Sequence, residues 1–153
     1  MNLIKDKYPN IKAIFAGTGP LEEDIKNEIV ANRLEDKIKL LGWRDDVKEL
    51  INSSDVVGLF SKREGLGKCL LEAMICGKYV IATNSRGSRE LIEDKANGFL
   101  VKFGDIDFTA NSIEQIYIKS KNTSPLNNKI TTKVDKYLLH NILSQLDSYY
   151  EMI

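Results

Sequence analysis

The residues able to do chemistry gather between positions 61 and 72. Arg63-Glu64-Gly65-Leu66-Gly67-Lys68 is followed by Leu71-Glu72-Ala73-Met74 and then Gly77. Read as a strand that ends, a glycine-containing loop and a helix that begins, this stretch directs backbone N–H groups and the positive end of a helix dipole at whatever lies above a sheet's carboxyl edge. Phosphate is the natural guest there, and in an open doubly wound sheet that edge is where ligands settle. Two acids bracket the loop. A carboxylate accepts two hydroxyl hydrogen bonds at once, so Glu64 and Glu72 suit the vicinal diols of a ribose or hexose. The plainer reading of Glu64 is a solvated loop acid. For Glu72 that reading is weaker, because an acid on an otherwise apolar helix costs on the order of several kcal/mol unless something is hydrogen-bonded to it.

Other candidates carry less. Arg63 lies beside the anion loop and Arg86 follows the end of a later strand, so either suits a phosphate contact; Arg44 and Arg89 can equally form a solvated face. Gly17-Thr18-Gly19-Pro20 opens like a dinucleotide-binding turn. The third glycine is absent, however, and Glu22 in its place would oppose a pyrophosphate. His140 is the single histidine, and with Cys69 and Cys76 it lacks the spacing of a metal site, so no metal is expected. The two cysteines fall on one helix about 10 Å apart, beyond disulfide reach, and read as reduced core residues.

These residues need a scaffold, and the hydrophobic pattern supplies one. Apolar runs at Ile11 to Ala16, Ile38 to Leu41, Val56 to Phe60, Tyr79 to Thr83 and Gly98 to Val101 alternate with amphipathic stretches, the mark of a parallel sheet covered by helices. The expected fold is α/β: a doubly wound, largely parallel, Rossmann-like sheet of about five strands. Helices are expected over Leu21 to Val30, with Leu21, Ile25, Ile29 and Val30 on one face, and over Asp45 to Ile51 with Asp45 as cap. A third, Gly67 to Ile75, is apolar nearly all round and should be buried with Glu72 as its lone interior acid. Ser88 to Asp94 and Ile106 to Ser120 complete the set, followed by a loop over 121–132 and a last helix over 133–153 with Leu138, Ile142, Leu146 and Tyr149 in one stripe.

Composition narrows the class. With 153 residues, 42% of them hydrophobic, one domain spanning 1–153 is expected. Lys plus Arg and Asp plus Glu each number 22, so no basic field favours nucleic acid. The opening residues are charged and no apolar run nears the roughly 18 residues of a membrane span, giving a cytoplasmic expectation.

The spacing of Glu64 and Glu72, with seven residues between them, resembles the donor-site signature of the glycosyl transferases group 1 family, retaining enzymes of the GT-B fold. The resemblance runs from about Lys7 to Val101 and includes Gly17-Thr18-Gly19-Pro20-Leu21, Gly42-Trp43-Arg44-Asp45-Asp46, Ser54-Asp55-Val56, Arg86-Gly87-Ser88-Arg89-Glu90-Leu91-Ile92 and Asn97-Gly98-Phe99-Leu100-Val101. It implies a nucleotide-sugar-binding domain whose substrate is a nucleotide diphosphate sugar, used without a separate cofactor. Glu64 would be the catalytic residue, contacting donor-sugar hydroxyls, and Glu72 would hold the ribose. The backbone at Leu66, Gly67 and Lys68 would meet the pyrophosphate, with Gly65 and Arg63 in the same loop. The backbone around Trp43 and Arg44 would hold the base, and Gly17 would lie at the cleft edge.

The form Arg-Glu-Gly-Leu with Arg-Gly-x-Arg-Glu most resembles enzymes of bacterial exopolysaccharide, capsule or protein-linked glycan synthesis. The family also leads one to expect a further strand before Ile11, a basic loop, and an acceptor-binding domain or partner chain, through which alone peripheral membrane association would come. On that basis the strand at Ile11 either pairs directly with the strand at Val56 or leaves a place to be filled. The chain alone is then expected to be inactive, the alternatives being a non-catalytic donor-binding subunit of a split enzyme or a degenerate fragment.

Overall fold

The computed structural model describes residues 1–122, 134–137 and 141–143. They divide into two compact units, Met1–Leu50 and Ile51–Ile153.

In the first unit, β1 (Ala13–Phe15), α1 (Glu22–Ala31) and β2 (Ile38–Leu40) form a right-sized βαβ step, with β1 and β2 parallel and Ala13 opposite Ile38. β1 is shorter than the run from Ile11 suggests, because the Ile11 N–H turns back to the Tyr8 carbonyl. Three acids, Glu22, Glu23 and Asp24, occupy the first turn of α1, where the helix dipole favours them. Its expected apolar face is only partly realised: Ile29 is buried and Ile25 half-buried, while Leu21 and Val30 are exposed. A two-stranded sheet covers little of a helix, so burial concentrates at Ile4, Ile29 and Leu34. The Lys5 ammonium donates to the Asn32 carbonyl at 2.8 Å, tying the N-terminal turns to the end of α1.

α2 (Val47–Ser53) crosses the division between the units. Its first hydrogen bond runs from the Leu50 N–H to the Asp46 carbonyl, so Asp46 holds the cap position expected for Asp45. The second unit continues with β3 (Val56–Leu59), α3 (Lys68–Ile75), β4 (Tyr79–Thr83), α4 (Arg86–Leu91), β5 (Gly98–Val101) and α5 (Ile106–Asn122). The sheet order is β3-β4-β5, all parallel. The five expected strands are therefore present, β1 and β2 in the sheet of the first unit and β3, β4 and β5 in that of the second.

The pleat of β4 sorts the core of this unit. Val80 and Ala82 join Leu70, Ala73 and Met74 of α3 and Leu91 of α4 in one cluster. Ile81 points the other way, into a cluster with Phe99, Val101 and Ile116 of α5. Helices thus cover both faces, as in a doubly wound sheet, and each fully buried large side chain contributes roughly 1.5–3 kcal/mol.

Two helices differ from expectation at their ends. α4 begins at Arg86 rather than Ser88 because the Ser85 hydroxyl accepts the Ser88 N–H at 3.3 Å. It stops at Leu91 rather than Asp94 because buried Asn97 captures the chain: its amide donates to the Leu91 carbonyl at 3.1 Å and its oxygen accepts the Glu93 N–H at 2.7 Å. Asp94 then bridges to Gly98, and its carboxylate accepts the Leu100 N–H. α5 continues through Lys121 and Asn122, the first two residues of the expected loop; the remainder of that loop, 123–132, lies outside the described residues. So do His140, Leu138, Leu146, Tyr149 and most of the expected last helix. Of its described part, Val134 is buried in the first core cluster with Tyr137 against it, and Lys136 reaches Glu90 of α4 at 3.9 Å. Among the described residues no helix is long and apolar enough to cross a membrane.

Candidate functional site

The loop from Phe60 to Gly67 joins the carboxyl end of β3 to the amino end of α3. It is pinned at both ends and in the middle. At its start, the Thr83 hydroxyl at the end of β4 hydrogen-bonds the Ser61 carbonyl. At its end, Gly67 precedes α3 and accepts the Leu70 and Leu71 N–H groups at 2.9 and 3.1 Å. A Cβ on buried Gly67 would come within 2.9 Å of both Leu59 and Leu70, so this glycine lets helix and strand pack closely. In the middle, the Gly87 N–H at the start of α4 donates to the Glu64 carbonyl at 3.2 Å.

Loop amides are only partly available. The Lys68 N–H donates to the Leu66 carbonyl at 2.8 Å, while those of Leu66 and Gly67 have no backbone carbonyl partner among the described residues. Gly65 has open space where a side chain would stand, with nothing within 4 Å. The loop therefore presents Gly65, Leu66 and Gly67 as backbone, beside the dipole of an eight-residue helix whose cap position offers no side-chain hydrogen bond.

Glu64 is half-buried and Glu72 is exposed. The second is a correction: α3 is not buried all round. Leu70, Ala73 and Met74 are fully buried and Cys69 and Leu71 pack half-buried against the same core, while Glu72 and Ile75 are exposed. Exposure spares Glu72 any desolvation cost and removes the argument that burial demands a partner for it. The two carboxylates nonetheless act on one neighbour. Burial pushes the half-buried Cys69 thiol above its ordinary range, and the charges of Glu72 and then Glu64 push it further. Cys69 and Cys76 are both free. Arg63, Lys68 and Arg86 are exposed, whereas Arg89 donates to the Asn84 side chain at 2.9 Å.

In the first unit, the Gly17 turn is joined to Gly42, the residue before Trp43. Gly17, at a φ of 121° that a side chain would resist, donates its N–H to the Gly42 carbonyl at 2.7 Å. Trp43 is 76% exposed, and its indole N–H donates to Asp45 at 3.0 Å. The Arg44 guanidinium makes a two-pronged ion pair with Asp46, which holds the Asp46 carboxyl below its usual range. Arg44 is thus occupied by its own neighbour.

A family model described as glycosyl transferases group 1 matches residues 1–135. The chain belongs to the glycosyl transferases group 1 family. EpsD of Bacillus subtilis (strain 168), which carries the name of a glycosyltransferase, is 40% identical over 117 residues, covering 76% of this chain and 31% of that protein. Crystal structures of HepE from Anabaena, with UDP and with UDP-glucose, are 28% identical, with TM-scores of 0.85 and 0.82 over 95% of this chain and 42% of HepE. The C-terminal domain of LpcC from Francisella tularensis, itself a glycosyl transferase group 1 family protein, is 27% identical with a TM-score of 0.75, covering 90% of this chain and 75% of that domain. This group 1 chain is thus a C-terminal-type domain of the GT-B fold, and it spans less than half the length of EpsD and HepE.

Gly87, Ser61 and Thr83 were not singled out from the sequence. Gly87 stands within the Arg86-to-Ile92 motif, yet nothing local to that motif shows that it touches a loop more than twenty residues earlier.

Proposed function

We propose that this domain binds a nucleotide diphosphate sugar and supplies the donor half of a retaining sugar transfer, within bacterial polysaccharide or glycan synthesis. The observation that carries the reading is the Glu64–Gly67 loop, held between β3 and α3, whose Leu66 and Gly67 amides have no backbone carbonyl partner among the described residues, with Glu64 and Glu72 beside it. HepE, solved with UDP and UDP-glucose, supports the ligand class. In this reading the Leu66 and Gly67 amides, the α3 dipole and the Arg63 and Lys68 cations meet the diphosphate. Glu72 takes the ribose hydroxyls and Glu64 those of the sugar. The bond between the anomeric carbon and the diphosphate breaks, the acceptor oxygen replaces it with retention, and the acceptor proton is released.

Glu64 supports the positive charge that grows on the sugar ring. No separate cofactor takes part. Gly17 and the backbone at Trp43 and Arg44 are assigned to the cleft edge and base by the family resemblance. The same reading takes the setting to be cytoplasmic. Acceptor and second domain come from outside these 153 residues, so the chain alone binds donor without transferring.

Calorimetric titration with UDP, GDP and ADP, repeated with Glu72→Ala, tests this. Saturable binding of one diphosphate, weakened by the substitution, is expected; a folded chain that binds none would overturn the reading.

A further inference from the structure

We propose that Gly87 is a positioning residue of this site: its missing side chain lets the start of α4 rest on the Glu64–Gly65 backbone, and that contact sets where the Glu64 carboxylate stands. The inference rests on the reading of Glu64 as the sugar-facing acid.

Steric distances carry the argument. A Cβ on Gly87 would lie 2.4 Å from the Gly65 carbonyl oxygen, 2.6 Å from its carbon and 3.0 Å from the Glu64 carbonyl oxygen. All three are backbone atoms, which cannot rotate away as a side chain can. Gly87 is also absent from the glycines with positive φ, so its backbone conformation is open to any residue. Close approach is what requires glycine here. The same approach brings the Gly87 N–H onto the Glu64 carbonyl.

If a methyl group were added, one side of the contact would have to give. α4 is fixed: Ser88 and Leu91 are buried, Leu91 belongs to the core cluster with Leu70 and Met74, and Ser85 caps the helix. The loop is the softer side, since nothing stands within 4 Å of where a Gly65 side chain would go, Gly65 is exposed and Glu64 is only half-buried. Displacement therefore falls on the residue pair that carries the carboxylate.

The test uses the 153-residue chain with Cys76→Ser, so that Cys69 is the only thiol. Its titration, followed by thiolate absorbance, is expected to respond to the Glu64 charge without any ligand, beside the larger effects of burial and Glu72, and Glu64→Gln alone calibrates that response. Gly87→Ala is compared in the Glu64 and the Glu64→Gln backgrounds, alongside titrations with UDP and UDP-glucose. The expected result is a shift of the Cys69 titration by Gly87→Ala that disappears in the Glu64→Gln background, with thermal unfolding still cooperative. UDP-glucose should lose roughly tenfold in affinity relative to UDP, the worth of one charged hydrogen bond. No shift, or the same shift in both backgrounds, would overturn the proposal. A Glu64-dependent shift with no loss of UDP-glucose preference would keep Gly87 as the positioner of Glu64 and overturn the assignment of Glu64 to the sugar. Should Gly87→Ala not fold, Ser85→Ala loosens the start of α4 without adding atoms; a Cys69 titration unchanged by it would likewise sink the idea.

Discussion

The Gly87 amide donates to the Glu64 carbonyl across 3.2 Å, with no side chain at position 87 to hold the two segments apart. A helix more than twenty residues downstream thereby braces the acid at the centre of the candidate site. The backbone that carries that acid rests on α4 as well as on its own loop.

Substitution of Glu64 by Ala should separate chemistry from folding. The residue is half-buried and its backbone bonds survive the change, so stability should shift by no more than about 0.5 kcal/mol. Donor-sugar binding, and turnover once an acceptor domain is supplied, should fall by roughly ten- to a hundredfold. Unfolding of the variant in a thermal melt would instead mark Glu64 as structural.

The two loop glycines should behave oppositely. Gly65→Ala places a methyl in open space and should leave the melting temperature nearly unchanged, while impairing diphosphate binding where the ligand occupies that space. Gly67→Ala pushes on Leu59 and Leu70 and should cost about 1–3 kcal/mol in urea unfolding. Equal stability of the two variants would contradict this division.

Asn97 should be worth more than its position in a turn suggests. It is buried and satisfies two backbone groups, the Leu91 carbonyl and the Glu93 N–H. Asn97→Ala would strand both, so a loss of about 1–3 kcal/mol is expected, with amide exchange near Glu93 accelerating first.

Cys69 gives stability a dependence on alkaline pH. Its folded-state pKa is raised by burial and by Glu72 and Glu64, so the unfolded chain releases the thiol proton at lower pH than the folded one. The contribution is full below the ordinary thiol range and is lost as pH rises through the folded value. Unfolding free energy should therefore decline on the alkaline side, and Cys69→Ala should flatten that decline. An unchanged slope in the variant would refute the assignment.

Much of this scaffold is legible in the sequence because its periodicity is strong where burial is strong. β4 and β5 fall at their expected residues, since strands buried on both faces read as short continuous apolar runs. α3 departs from expectation for the same reason: its sequence is apolar nearly all round, but full burial is confined to Leu70, Ala73 and Met74, and Ile75 and Glu72 are exposed. The ends of α4 depend on Ser85 and Asn97, whose hydrogen bonds compete with the helix and leave no periodic trace. Glu64 and Glu72 stand out by type and spacing. Gly87 does not, because its partner is distant in sequence and its role lies in an atom it lacks.

The burial of Val134 matters for anyone cutting or recombining this domain. Its side chain completes the cluster around Leu70, Met74 and Leu91, and Lys136 reaches the same α4 that braces Glu64. A chimera spliced at the close of α5 would discard that plug and leave a hole against the helix behind the acid. Junctions for domain exchange belong beyond Tyr137, where the graft carries its own cork.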